Sequence, residues 1–142
     1  AVAYSFMSYT ATVVEVTVDA KGELKVVAVD MAIDCGPQIN PERIRAQMEG
    51  GAVMGLSLAL SGEISFDQGR VVQSNFFDFT VLRHAESPRT IRTHLVNNNH
   101  EVPPGGVGEP PVPPVAPALF NAIFAATGKR IRQLPLRDQL QA

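Results

Sequence analysis

Glu109 stands alone as an acid in the run Val102-Pro103-Pro104-Gly105-Gly106-Val107-Gly108-Glu109-Pro110-Pro111. Glycine lets a backbone approach a neighbour closely or take positive φ. Proline fixes φ and removes a donor, so this composition makes a stiff turn of unusual shape. A carboxylate on such a turn is aimed, as a general base must be to sit within hydrogen-bond reach of the proton it takes. The same composition also suits a surface connection between a strand and a helix that bears a solvated glutamate.

A second group is Gln47 and Glu49, which flank the glycines at 50, 51 and 55 within a helical pattern; they face either a site or solvent. Other candidates carry less. Asp30 and Asp34 lie near the exit of an apolar strand, where acids more often hydrogen-bond a turn backbone than hold a metal. Cys35, before Gly36-Pro37, reads as a small buried residue at a turn, with no base near it in sequence to make it a nucleophile. His84, His94 and His100 lack the i, i+4 spacing of a helical metal pair, and no metal site is assigned to them. One cysteine leaves no internal disulfide and no cysteine-built zinc or iron–sulfur site within this chain.

The elements that must position these groups alternate between strand and helix patterns. Thr12 to Asp19 places Val14, Val16 and Val18 on one face and Val13, Glu15 and Thr17 on the other, the period of a strand. A turn at Asp19-Ala20-Lys21-Gly22 leads to a second strand, Leu24 to Ile33, apolar on both sides and therefore central. Asn40-Pro41-Glu42 opens a helix, with Asn as N-cap, Pro in the first turn and an early acid at the positive end of the dipole. Ile44, Met48, Ala52, Leu56 and Leu60 form its buried stripe, widened by Val53 and Leu58. Three glycines inside a helix each cost about 1 kcal/mol against alanine, so close packing against a helix or a cofactor is expected there.

Gly62 to Gln73 reads as a hairpin turning at Asp67-Gln68-Gly69-Arg70. Asn75 to Leu82, with Phe76, Phe77 and Phe79, is either a strand or an aromatic plug over the helix, and core packing is favoured. Thr90 to Val96 alternates Ile91 and Leu95 with Arg92 and His94 and leads into the glycine-proline loop. Beyond it Ala118 to Thr127 forms a helix capped by Gly128. Ile131 to Leu136 returns as a short strand, and the tail to Ala142 is polar and frayed. The fold class is α+β, with antiparallel or mixed sheet hairpins packed on two main helices in a single domain, 1–142.

The prolines from 110 to 117 also fit a polyproline II ligand, which would make the chain a non-catalytic interaction module. Their position between an apolar strand and an apolar helix favours structural use. With 45% hydrophobic and 18% charged residues the chain has the composition of a globular protein. A net charge of −2 with dispersed basic residues gives no footprint for nucleic acid, and no run is long enough for a membrane span. The absence of an initiator methionine points to a processed chain or a piece of something longer.

Taken in order, Asp34-Cys35-Gly36, Asn40-Pro41, Gln47-Met48-Glu49-Gly50-Gly51, Met54-Gly55-Leu56, Asn75-Phe76-Phe77-Asp78-Phe79 and Gly106-Val107-Gly108-Glu109-Pro110 resemble the C-terminal part of the molybdenum-binding subunit of the xanthine dehydrogenase and aldehyde oxidoreductase family. The run Pro103 to Pro110 and the ending Asn121 to Arg130 are most similar to the branch that holds the isoquinoline 1-oxidoreductase beta subunit. The resemblance covers nearly the whole chain.

It implies a hydroxylase that adds oxygen from water to an electron-poor carbon of an N-heterocycle or an aldehyde. In that family the glutamate after Val-Gly is the base that takes a proton from the water-derived oxygen; the matching residue is Glu109, which should be partly desolvated to serve. Gln47, in the Gln-x-Glu-Gly motif, matches a residue near the metal's ligand shell, and Gly106 and Gly108 let the main chain approach the cofactor. The cofactor implied is molybdopterin cytosine dinucleotide with molybdenum, bound mostly by segments absent here. The partners implied are the remainder of the molybdenum subunit and a subunit with [2Fe-2S] clusters. Gly105-Gly106 stands where the xanthine dehydrogenase branch carries a lysine or serine with an alanine, so purine oxidation does not transfer. On this reading the chain is a fragment, inactive alone; its compartment stays open.

Overall fold

The computed structural model describes residues 1–141. In chain order the elements are β1 (Val2–Ser5), β2 (Ser8–Val18), β3 (Leu24–Asp34), α1 (Pro41–Leu60), β4 (Phe66–Asp67), β5 (Arg70–Val71), β6 (Thr90–Leu95) and α2 (Val115–Thr127), with a 3-10 turn at His84–Glu86. Four strands form one sheet in the order β1-β2-β3-β6. The first two pairings are antiparallel and β3 pairs β6 in parallel, so α1 lies in the crossover connection that a parallel pair requires. The α+β class and the mixed sheet on two helices are as expected.

Both helices cover one face of the sheet. Val29, Met31 and Ile33 of β3, Met48, Ala52 and Leu56 of α1, and Val115, Leu119 and Ile123 of α2 are buried together. Asn40 caps α1 by accepting from the Arg43 N–H at 3.1 Å, with Pro41 in the first turn. The apolar stripe is narrower than its spacing implied: Leu58 is 43% exposed. Gly51 and Gly55 do meet a close neighbour. A Cβ at Gly51 would lie 2.4 Å from Pro111 Cγ, and one at Gly55 2.6 Å from Val115 Cβ, whereas Gly50 has nothing within 4 Å.

Several expectations are corrected. β2 begins at Ser8 rather than Thr12, because from Ser8 to Val13 the usual alternation is inverted. Ser8, Thr10 and Thr12 are buried, while Tyr9 and Val13 are 58% and 67% exposed. A further strand, β1, precedes it through a tight turn in which Phe6 and Met7 both take positive φ. Phe76 and Phe77 are 68% and 84% exposed, so the segment from Asn75 to Leu82 is neither a strand nor a plug. It is a turn tied by Asp78, whose carboxylate accepts from the Asn75 and Ser74 N–H groups; those bonds lower its pKa.

Ile131 to Leu136 is not a strand. Ile131 and Leu136 are buried, and the N–H groups of Leu136 and Arg137 donate to the Ala59 and Leu60 carbonyls, satisfying the end of α1. Nor is the tail frayed as far as it is described: Leu140 packs on the core, and its carbonyl crowds Gly22, where a Cβ would lie 2.4 Å from it.

Candidate active site

The loop that carries Glu109 is held on its N-terminal flank by two main-chain bonds. The Gly105 N–H donates to the Cys35 carbonyl at 2.9 Å, and the Gly106 N–H donates to the Phe6 carbonyl at 2.7 Å. Closeness explains both glycines. A Cβ at Gly105 would fall 2.6 Å from the Met7 carbonyl oxygen, and one at Gly106 2.7 Å from Phe6 Cβ. Side chains add two further bonds. Ser8 Oγ donates to the Gly106 carbonyl at 2.6 Å and Thr10 Oγ1 to the Pro110 carbonyl at 2.7 Å.

Pro110 and Pro111 are buried, with Pro111 seated on Gly51. Pro110, Pro111 and Pro114 are thus core, Pro113 and Pro117 are exposed with Pro117 inside α2, and the partner of the glycine-studded helix is the approach to α2. Because Gln47 lies one turn before Gly51, the same packing brings it beside the loop, where its Nε2 donates to the Gly108 carbonyl at 3.3 Å. Gln47, Gly108 and Glu109 therefore share one edge of the molecule, with Gly106 just behind it. Glu109 itself is exposed in this chain, not desolvated, and its carboxylate accepts no hydrogen bond among the described residues.

Glu49 does not join them. It lines a groove of about 720 Å³ between α1 and the segment 84–91, with Gly50, Val53, His84 and Arg89. A second cavity of about 720 Å³ lies at the far end of the β2–β3 hairpin, bordered by Lys25, Leu82, Arg89 and Arg137. Neither is bordered by Glu109 or Gln47, and Gln47, Gly108 and Glu109 are all exposed.

Asp34 and Asp30 have structural partners. Asp34 Oδ1 accepts from the Gly36 N–H at 3.1 Å, the turn role expected of it. Asp30 does not bind a turn. It pairs across the strands with Arg92, Nε to Oδ1 2.6 Å, and approaches His94 Nε2 at 3.2 Å; these bonds, that of Arg92 foremost, lower its pKa to about 2. Cys35 is buried, and desolvation raises its pKa, which keeps it a thiol. Ser8, Thr10, Phe6 and Met7 were not singled out by sequence, although small hydroxyl residues at positions 8, 10 and 12 are themselves a period-two pattern.

The model of the molybdopterin cofactor-binding domain family matches residues 2–88. The chain belongs to that family. The B component of nicotinate dehydrogenase from Pseudomonas putida is 36% identical over 130 residues, which is 91% of this chain and 11% of that protein. The beta subunit of isoquinoline 1-oxidoreductase from Brevundimonas diminuta is 36% identical over 121 residues, 85% of this chain and 15% of that protein. This molybdopterin cofactor-binding domain also superposes on solved structures. Aldehyde oxidoreductase from Desulfovibrio desulfuricans gives a TM-score of 0.76 at 28% identity, covering 95% of this chain and 16% of that one. Quinoline 2-oxidoreductase from Pseudomonas putida gives 0.80 at 22% identity, over 93% and 18%, which bears on the fold alone. The chain spans less than a fifth of the length of each of these relatives. Its kinship is with molybdenum-binding subunits of the xanthine dehydrogenase and aldehyde oxidoreductase type, as the ordered motifs implied.

The groups at this edge suit a cofactor held by hydrogen bonds. They are a carboxylate at Glu109, an amide at Gln47 with one N–H beyond its bond to Gly108, and bare main chain at Gly108. A Cβ at Gly108 would meet only Gln47 Nε2, at 3.7 Å. No three His, Cys, Asp or Glu side chains converge among the described residues.

Proposed function

We propose that this chain is one domain of a larger molybdenum hydroxylase subunit that oxidises an N-heterocycle or an aldehyde, and that Glu109 is its catalytic base. The observation that carries the reading is the Gln47–Gly108 contact. It joins the helix motif and the loop motif, 61 residues apart in sequence, into one surface with the carboxylate next to the contact. The two curated relatives named above are a nicotinate dehydrogenase and an isoquinoline 1-oxidoreductase, which supports a nitrogen heterocycle as substrate.

The net chemistry inserts oxygen from water into a C–H bond, releasing two protons and two electrons. The cofactor, when bound, supplies the redox centre that accepts the electrons, and we assign it the cytosine dinucleotide form. Glu109 takes a proton from the water-derived oxygen as that oxygen attacks carbon. A base acting in this way contributes about 10²–10⁴ in rate. Gln47 uses one N–H to hold the loop and offers the rest of its amide to the cofactor. Gly108 lets main chain and cofactor approach without a side chain between them. Gly106 serves from one step back, since its N–H and carbonyl are engaged by Phe6 and Ser8.

The rest of the subunit would cover this open edge and desolvate Glu109, and a [2Fe-2S] subunit would take the electrons. Alone, the chain would neither retain the cofactor nor turn over. Glu109→Gln in the intact subunit tests the reading: turnover should vanish while the metal content stays at the wild-type level. Full turnover in that variant would sink it.

A further inference from the structure

The loop bearing Glu109 is fastened by two side chains that the reaction itself does not use. Ser8 and Thr10 are both fully buried, on the same face of β2, and each donates its hydroxyl to a loop carbonyl. The acceptors, Gly106 and Pro110, lie on either side of Glu109. Residues two apart on a strand are about 7 Å from one another. The chain from Gly106 to Pro110 could extend to about 13 Å, so pinning its ends to adjacent inward positions forces the residues between them to arch away from the strand. Val107 turns inward and packs on the core, while Gly108 and Glu109 are left exposed at the crest. The 2.6–2.7 Å bonds thus tie the loop down on either side of the carboxylate. Thr12, the next inward residue, supplies the internal comparison: it is equally buried, yet its hydroxyl has no partner among the described residues.

We infer that Ser8 and Thr10 are positioning residues, a pair of buried hydroxyls that clamp the loop on both sides of Glu109 and hold its carboxylate at the crest. This rests on the reading of Glu109 as base, so the test must be able to separate the two.

The experiment compares Ser8→Ala, Thr10→Val, Thr10→Ser, Thr12→Val and Glu109→Gln in the intact, cofactor-loaded subunit. Hydrogen exchange of the amides from Gly105 to Val112 is measured beside kcat and KM. In Ser8→Ala and Thr10→Val, exchange at Gly105, Gly106 and Val112, the loop amides that donate main-chain hydrogen bonds, should quicken by about tenfold or more, while the amides of α1 keep their protection. The kcat should fall about tenfold to a hundredfold with KM little changed, because a misplaced base costs rate rather than affinity. Thr10→Ser should restore both readouts, and Thr12→Val should alter neither. Wild-type exchange and kcat in both Ser8→Ala and Thr10→Val would overturn the clamp while leaving the base untouched. So would equal losses in Thr12→Val. Turnover retained in Glu109→Gln would overturn the base, and with it the catalytic meaning of any change in loop exchange. If Thr10→Val fails to fold, Ser8→Ala and the Thr10→Ser comparison decide the matter.

Discussion

Gly55 of α1 and Val115 of α2 touch where no larger side chain could stand, since a Cβ at residue 55 would lie 2.6 Å from Val115 Cβ. The same approach, one turn earlier, seats Pro111 on Gly51 and so fixes the far end of the loop that carries Glu109. Gly55→Ala should therefore destabilise the fold by about 1–3 kcal/mol through overpacking. Gly50→Ala, at an exposed helical position with nothing within 4 Å, should stabilise it by about 0.5–1 kcal/mol. Equilibrium urea unfolding of the two variants reads both signs. A Gly55→Ala protein as stable as the wild type would show that the helices have room to part.

The hydroxyls of β2 should separate in the same assay. Thr10→Val leaves the buried Pro110 carbonyl without its donor and should cost about 1–3 kcal/mol. Thr12→Val removes a buried hydroxyl that has no partner among the described residues, and stability should hold or rise by about 1 kcal/mol. Equal losses at the two positions would mean that the bond to Pro110 contributes nothing.

Much of this arrangement is legible in the sequence where one physical signal dominates. The Asn40-Pro41 start of α1, the central apolar β3, the alternation of β6 and the Gly128 cap follow from capping chemistry and period, and all are present. The start of β2 is hidden because its buried face is made of hydroxyls, which hydrophobic alternation reads as outward. Phe76 and Phe77 mislead in the opposite sense, as aromatic residues that the described chain leaves exposed. In the candidate site, Gln47 reaches the loop at Gly108, beside Glu109. Glu49 does not, since two residues along a helix turn it roughly 200° away from Gln47. Ser8 and Thr10 could not be read, because the acceptors they meet lie 98 and 100 residues away.

Acid should weaken the sheet through Asp30. Its carboxyl titrates at about 2 in the fold, against 3.8 ordinarily, chiefly because Arg92 donates to it. A depressed folded pKa stabilises the fold above the unfolded value, and that contribution is lost as pH falls from about 4 toward 2. Both partners are partly exposed, so solvent screening holds the effect to under about 1 kcal/mol. Urea midpoints measured from pH 6 to pH 2 should fall less steeply in Asp30→Asn than in the wild type. Parallel curves would remove Asp30 from the acid response.

The isolated chain should not oxidise substrate. Purified protein incubated with a dye acceptor and a panel of nitrogen heterocycles and aldehydes should give no reduction above background. Turnover there would mean that a domain spanning 11–15% of the named curated relatives holds a complete catalytic centre.

The most direct measurement is the reductive half-reaction of the intact subunit, followed by anaerobic stopped-flow with excess substrate in wild type and Glu109→Gln. If Glu109 is the base, the rate constant for reduction should fall by about 10²–10⁴ while the cofactor spectrum before mixing and the metal content stay unchanged. Reduction at the wild-type rate in Glu109→Gln would contradict the assignment of Glu109 as the base.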